Sequence, residues 1–245
     1  AMVPVGLYLF MRLSLSLFPE AGVALSRFLL ALGLVNLLVA AVSLANPKDL
    51  RRMIGHLALL EVGMVLVGLS SLDPSGWVGA VYQLLTMGLS LGAMAFLAGI
   101  LVERTGKSVL LGPDGSRVYG GVVSKAPTLT AVGALVLAAM LGVPGMGSFV
   151  SRVLLTLGEF RFQWGVVAWV FTCLLLVAYG LTRAFQMVFL GKTADGIQNI
   201  TELSARERLA FLPLVAAGLM LGLYPKPWVE LVRPTVLTLL SMVHR

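Results

Sequence analysis

An all-α bundle of membrane-crossing helices is the fold class this sequence predicts, and three observations lead there. Hydrophobic residues make up 58% of the chain and charged residues only 12%, with a mean hydropathy of +0.96; soluble domains run at about 45–50% and about 25%. Apolar runs close to the roughly 20 residues needed to cross a hydrocarbon core recur along the whole length, which a single cleavable leader does not produce. Lys and Arg gather in the connections between the runs, as membrane topology demands.

The runs define the elements in order. A short span is expected at Val3 to Phe18, stopped by Pro19, and a second at Val23 to Ala45, closed by NPKDLRR. Met53 to Leu72 follows, ended by DPSG, then a long span from Trp77 to Val102. A broken span covers Thr128 to Leu157, followed by Trp164 to Leu190 and by Leu209 to Leu223, which YPKP stops. The tail from Trp228 to Val243 is a last short span or an interfacial helix, with Lys226, Trp228 and Arg233 placed as interface anchors. This gives seven spans plus the tail. The chain reads as one membrane domain over 1–245, with a partial helix at 1–18, the remaining spans at 19–223 including the break at 128–157, and the tail at 224–245.

Alternating these spans puts Lys48, Arg51, Arg52, Arg104, Lys107, Arg117, Lys125, Lys192, Arg206 and Arg208 on one side, and little beyond Arg27, Arg161 and Lys226 on the other. The positive-inside bias makes the first side, with the connection at 103–125, cytoplasmic. That connection carries GPDG between two short runs that can pair as a hairpin. Its TGKS is not a phosphate-binding loop, because the required glycine five residues before Gly106 is Leu101. Ser204 and Glu207 form a capping-box pattern that starts a helix at the surface.

The formal charge of +7 is accounted for by loop topology, so no nucleic-acid role is expected. Cys173 is the single cysteine, inside an apolar run; disulfide, cysteine-based metal or redox chemistry has no partner for it. No cofactor or metal is indicated.

Ionisable groups at membrane depth are costly and functional by default. The candidates are Arg12, Glu61, Arg152 and Arg183, with Arg51, Arg52 and His56 at a span entrance. Glu61, flanked by apolar helix, is expected either protonated or paired with a cation; as a merely structural group it would bond Tyr82 or Gln83. His56 follows Arg52 by four residues on one helix face, so the two can share a water or a lipid headgroup. In LAAMLGVPGMGSFVSRVLL, Gly142, Pro144, Gly145 and Gly147 interrupt a helix, and the freed backbone groups must face protein or a wet cavity. Transporters use such half-helix ends to bind ions and protons.

Several phrases, RLSLSLFPEAG, NPKDLRRMI, LAGILVERTGK, YGGVVSKAP, GVPGMGSFV and LSARERLAFLPLVAAGLMLGLYP, resemble in sequence and order the antiporter-like M subunit (mitochondrial chain 4 type) of respiratory complex I, NADH:quinone oxidoreductase. The resemblance covers essentially the whole chain. It implies the second half of an inverted-repeat fold, with residues 1–18 a partial helix of the first repeat and the break at 142–148 the discontinuous helix of the second. It also implies a place in a proton-pumping membrane arm driven by quinone reduction. The chain departs from that pattern where proton-path residues are expected. Arg152 stands at the position of an intramembrane Glu, Arg51 at that of a Lys, Glu61 and Met87 at those of two His, and Pro4 at that of a Lys if Tyr8 marks the register.

Proton translocation with Glu61, His56, Arg51 and Arg152 as path candidates is therefore the expected function. The alternatives are a non-conducting scaffold of such a complex, or part of a cation/proton antiporter or membrane-bound hydrogenase. An arginine in place of a titratable acid favours a scaffold for that local path, since guanidinium does not deprotonate, whereas Glu61 favours transport. Expected partners are other membrane subunits, a separate chain carrying the missing first repeat, and lipids, in a bacterial plasma (inner) membrane.

Overall fold

The computed structural model describes residues 2–14, 17–112, 116–160, 164–192 and 200–243. Ten α-helices are described: α1 Met2–Leu9, α2 Pro19–Ala45, α3 Leu50–Ser70, α4 Pro74–Thr105, α5 Val122–Lys125, α6 Pro127–Leu141, α7 Gly147–Phe160, α8 Trp164–Phe189, α9 Ala205–Leu223 and α10 Lys226–Val243. A π-helical turn, Phe10–Ser14, follows α1. No β-strand is formed among the described residues, only isolated bridges.

Most boundaries follow from local chemistry. Asp49 caps α3 by accepting from the N–H groups of Arg51 and Arg52, and Asp73 caps α4 ahead of Pro74, where a missing N–H costs nothing. Gly106, left-handed at φ 68°, closes α4. The expected capping box of Ser204 and Glu207 is present at the start of α9, both bonds formed.

Four helices, Val23–Ala45, Leu50–Ser70, Pro74–Thr105 and Trp164–Phe189, are long and apolar enough to cross a membrane, and α9 with α10, bent by 76° at Tyr224–Pro225, makes up to a fifth. The chain is an integral membrane protein. The other apolar runs take shorter or bent forms. The first run yields a short apolar helix at Met2–Leu13 with a π-helical turn at its end. The broken run yields two half-length helices, 15 and 14 residues long. The tail is the second arm of a bent pair.

The core lies where α3 and α4 meet α2 and α7, around Leu57, Leu60, Met64, Leu69, Trp77 and Met87. Apolar side chains such as Phe28, Val42, Phe171 and Leu175 point outward, as a lipid-facing surface requires. Cys173 is buried packing.

The connection after α4 folds back on the entrance of α3. Leu50 N–H donates to Ser108 O at 2.9 Å, Leu110 N–H to Lys48 O at 2.8 Å, and Ser108 Oγ to Asp49 Oδ2 at 2.7 Å. The two short runs pair at Leu111 and Arg117, as a hairpin would; the turn expected at 113–115 lies outside the described residues, as does Arg161. Burial alone would push Asp49 up, but bonds from Ser108 and from the N–H groups of Arg52 and Arg51 outweigh it and hold its carboxyl below the usual value. On the same side Arg104 makes a bidentate contact to Glu207 at 2.7 and 2.9 Å, and Glu202 caps α6 through Thr128 N–H at 2.9 Å.

Candidate proton site at the helix break

The helix breaks between Leu141 and Gly147 because Gly142 takes φ 70°, a left-handed conformation open to glycine at little cost. Gly142 N–H returns to Ala138 O, and Gly145, at φ 100°, continues the turn. Around this loop the helices approach closely: a side chain at Gly222 of α9 would meet Gly145 O at 2.1 Å. Pro144 lies in the interruption, between the two helices.

Breaking a helix leaves its last carbonyls without partners. Arg152, on the second turn of α7, supplies them. Its Nη1 donates to Leu141 O at 2.8 Å and its Nη2 to Met140 O at 2.8 Å, so a cation sits at the negative end of the half-helix dipole. The same Nη2 lies 3.1 Å from Glu61 Oε1. Glu61 is 1% exposed and Arg152 7%, so this is a buried ion pair joining α3 to both halves of the broken helix.

Glu61 Oε2 accepts from Gln83 Nε2 of α4; Gln83 Oε1 accepts from Ser151 Oγ of α7, which lies 3.4 Å from Thr86 Oγ1. Arginine and amide both donate to Glu61. Both oxygens of Glu61 are thus occupied, one by the guanidinium and one by the amide. Arg152 Nε is the buried side-chain polar atom left without a partner among the described residues. Beside the network, Thr86, Ser90, Leu135, Val136 and Met146 line a mostly apolar cavity of about 30 Å³.

The structure thus brings together Glu61 and Arg152 with Gly142 of the break, but not the other candidates. Arg51 is ten residues before Glu61, about 15 Å along the helix, and is exposed. His56 uses its Nδ1 on the Arg52 carbonyl at 2.8 Å, just over one turn before Glu61 on the same helix. Tyr82, considered as a partner of Glu61, donates instead to Leu221 O at 2.6 Å, tying α4 to α9. Arg12 lies on the π turn and lines a groove with Tyr8, Val81 and Val232.

Sequence reasoning missed Ser151 and Thr86, and it missed Glu159, which is 3% exposed in the last turn of α7. Ser151 and Thr86 are small polar residues, common in membrane helices, and carry no signal alone. Glu159 was legible only as an acid just past an apolar run. Among the described residues no cluster of His, Cys, Asp or Glu suits a metal ion.

A family described as NADH:quinone oxidoreductase/Mrp antiporter, transmembrane, matches residues 1–182. NADH-quinone oxidoreductase subunit M of Mycobacterium tuberculosis is 30% identical over 95% of this chain and 41% of its own length. NADH-ubiquinone oxidoreductase chain 4 of Marchantia polymorpha is 26% identical over 98% and 48%. A chain of respiratory complex I from Thermus thermophilus with bound NADH superposes with a TM-score of 0.88 at 26% identity, over 98% of this chain and 49% of that one. A chain of the Mrp complex from Dietzia shares the fold, with a TM-score of 0.77 at 16% identity, over 89% and 49%. The chain spans somewhat less than half the length of these curated relatives. The match over most of its length, together with the broken helix, places this chain in the NADH:quinone oxidoreductase/Mrp antiporter transmembrane family.

Proposed function

We propose that this chain is a membrane-arm component of a complex-I-like NADH:quinone oxidoreductase and takes part in proton translocation coupled to quinone reduction. The observation that carries the reading is the buried Glu61–Arg152 pair at the break, in a chain of this family. A carboxylate that trades a fixed cation for a proton is a two-state element. In one state Arg152 holds Glu61 and the half-helix carbonyls. In the other Arg152 keeps the carbonyls, while Glu61 is protonated and holds Gln83 alone. Arg152 does not itself titrate; its place is to raise or lower the cost of a proton on Glu61.

A second reading has a specific observation behind it. Arg152 satisfies carbonyls that the break would otherwise orphan, so the pair would serve equally as a permanent clamp in a non-conducting scaffold subunit.

As partners we propose the other membrane subunits of such an assembly and lipids around the outward apolar side chains. We further propose one membrane domain over 1–245 in a bacterial plasma membrane, with the connection at 103–125 cytoplasmic. Arg104 and Lys107 at the end of α4, with Arg206 and Arg208 at the start of α9, support that orientation. The test is purification through a tag on this chain, followed by reconstitution into vesicles. The reading expects several membrane subunits and proton movement on quinone reduction by NADH; a lone chain or electron transfer without proton movement would contradict it.

A further inference from the structure

Arg183 is the one charged residue of α8, six residues before the end of that helix, and the network at the break does not use it. Cys173, Val177, Gly180, Leu181 and Ala184 form the buried face of α8, with Gly180 against Leu44 O of α2; Arg183 is exposed beside the outward face. Arg117, in the connection after α4, reaches the same place. Gly121 N–H donates to Leu190 O at 3.2 Å and ties that connection to the end of α8, and a side chain at Gly191 would stand 3.6 Å from Arg117 Nη1. Arg117, Tyr179, Thr182, Arg183 and Gln186 thus line one open groove of about 520 Å³.

Two features say what this groove takes. The first is charge. Among the described residues neither guanidinium makes a hydrogen bond or an ion pair, and the side chains of Tyr179, Thr182 and Gln186 make no hydrogen bond either; by contrast Arg104 is paired with Glu207 and Arg152 with Glu61. Guanidinium matches phosphate oxygens two at a time. No carboxylate lines the groove among the described residues, so the ammonium of a zwitterionic headgroup finds no partner there. The second feature is the apolar surface that continues from the groove toward the membrane interior. Tyr179, Leu175 and Phe171 follow one another at four-residue steps on the outward face of α8 and are 60%, 71% and 54% exposed. From Arg183 to Phe171 the helix runs about 18 Å, against about 15 Å for half of a hydrocarbon core. A soluble anion would use the charges and leave the stripe bare; a phospholipid covers both.

We propose that this groove binds an anionic phospholipid, its phosphodiester held between Arg117 and Arg183 and its acyl chains lying over Tyr179, Leu175 and Phe171, in the leaflet on the side of the 103–125 connection. The proposal needs only a membrane-spanning chain and stands or falls apart from proton translocation. A basic residue near the membrane surface favours anionic lipid about fivefold, so the two together favour it about 25-fold. The test places the purified assembly in phosphatidylcholine nanodiscs that contain a small share of a photoactivatable phosphatidylglycerol, and maps the adducts by mass spectrometry. Adducts are expected between Phe171 and Gln186. They should fall about tenfold or more when phosphatidylcholine carries the same photoactivatable group, and likewise in Arg117→Gln with Arg183→Gln. Both arginines are exposed, so assembly of the double variant is expected by size exclusion; if it fails, Arg183→Gln alone, with a fall of about fivefold, and the comparison of the two lipid probes decide. Equal labelling by the two probes, or labelling that the substitutions leave unchanged, overturns the proposal. Loss of labelling on adding inorganic phosphate would assign the groove to a soluble anion, and cross-links from this face of α8 to another subunit in place of lipid would assign it to a protein partner; either result also overturns it.

Discussion

Replacing Glu61 with Gln keeps the size of the side chain and an acceptor for Arg152, but removes the charge that balances a guanidinium buried to 7% exposure. Two unit charges 3.1 Å apart attract by roughly 5 kcal/mol at an effective dielectric of about 20, and a neutral hydrogen bond restores only about 1 kcal/mol of that. Removing one partner of a buried pair costs about 3–5 kcal/mol because the other is stranded, or about two to four decades in the folding equilibrium. Glu61→Gln alone is therefore expected to lower the yield of assembled complex, read by size exclusion in mild detergent after expression at matched levels. Glu61→Gln with Arg152→Gln removes both charges and should recover much of that yield. Assembly of the single variant at the unmodified level, with no gain in the double variant, would refute the reasoning.

Three further outcomes follow from the same structure. Gly142→Ala places a Cβ on a left-handed residue and 2.8 Å from Arg152 Nη1, so a loss on the order of 1–2 kcal/mol should appear as lower thermal stability than Gly165→Ala, where nothing lies within 4 Å; equal stabilities would contradict it. Asp49 is held below the usual carboxylate value, so the stability it adds is fully present above about pH 4 and is lost as pH falls through its lowered value. Amide exchange at Leu50 and Leu110 should therefore accelerate at acid pH beyond the intrinsic rate, and Asp49→Asn should remove that pH dependence; unchanged exchange would count against the docking. For topology, cysteines at Ser116 and Ser75, in a chain lacking Cys173, should label from the cytoplasmic and the opposite side respectively, and labelling of Ser116 from outside would reverse the orientation.

Much of this was readable from residue types alone. The long apolar runs became α2, α3, α4 and α8, and the glycines around Pro144 marked the break, because left-handed backbone at Gly142 is a local requirement. Gln83 was foreseeable as a neighbour of Glu61. The pairing of Glu61 with Arg152 was not, since it joins residues 91 apart in sequence and depends on how α7 crosses α3. The same is true of the link from Tyr82 to Leu221. Hydropathy does not record backbone geometry: the first run ends in a π turn and the last two helices meet at 76°. Arg152 read as an anomaly beside a broken helix; the freed carbonyls of Met140 and Leu141 give the reason for its position.

The central claim is that the Glu61–Arg152 pair handles protons and is not only a clamp. The measurement is the number of protons moved per electron in vesicles containing the Glu61→Gln, Arg152→Gln double variant, in which neither charge is stranded. Transport through Glu61 predicts normal quinone reduction with a ratio clearly below that of the unmodified complex; full assembly with the unmodified ratio would contradict it and leave the pair as a structural clamp.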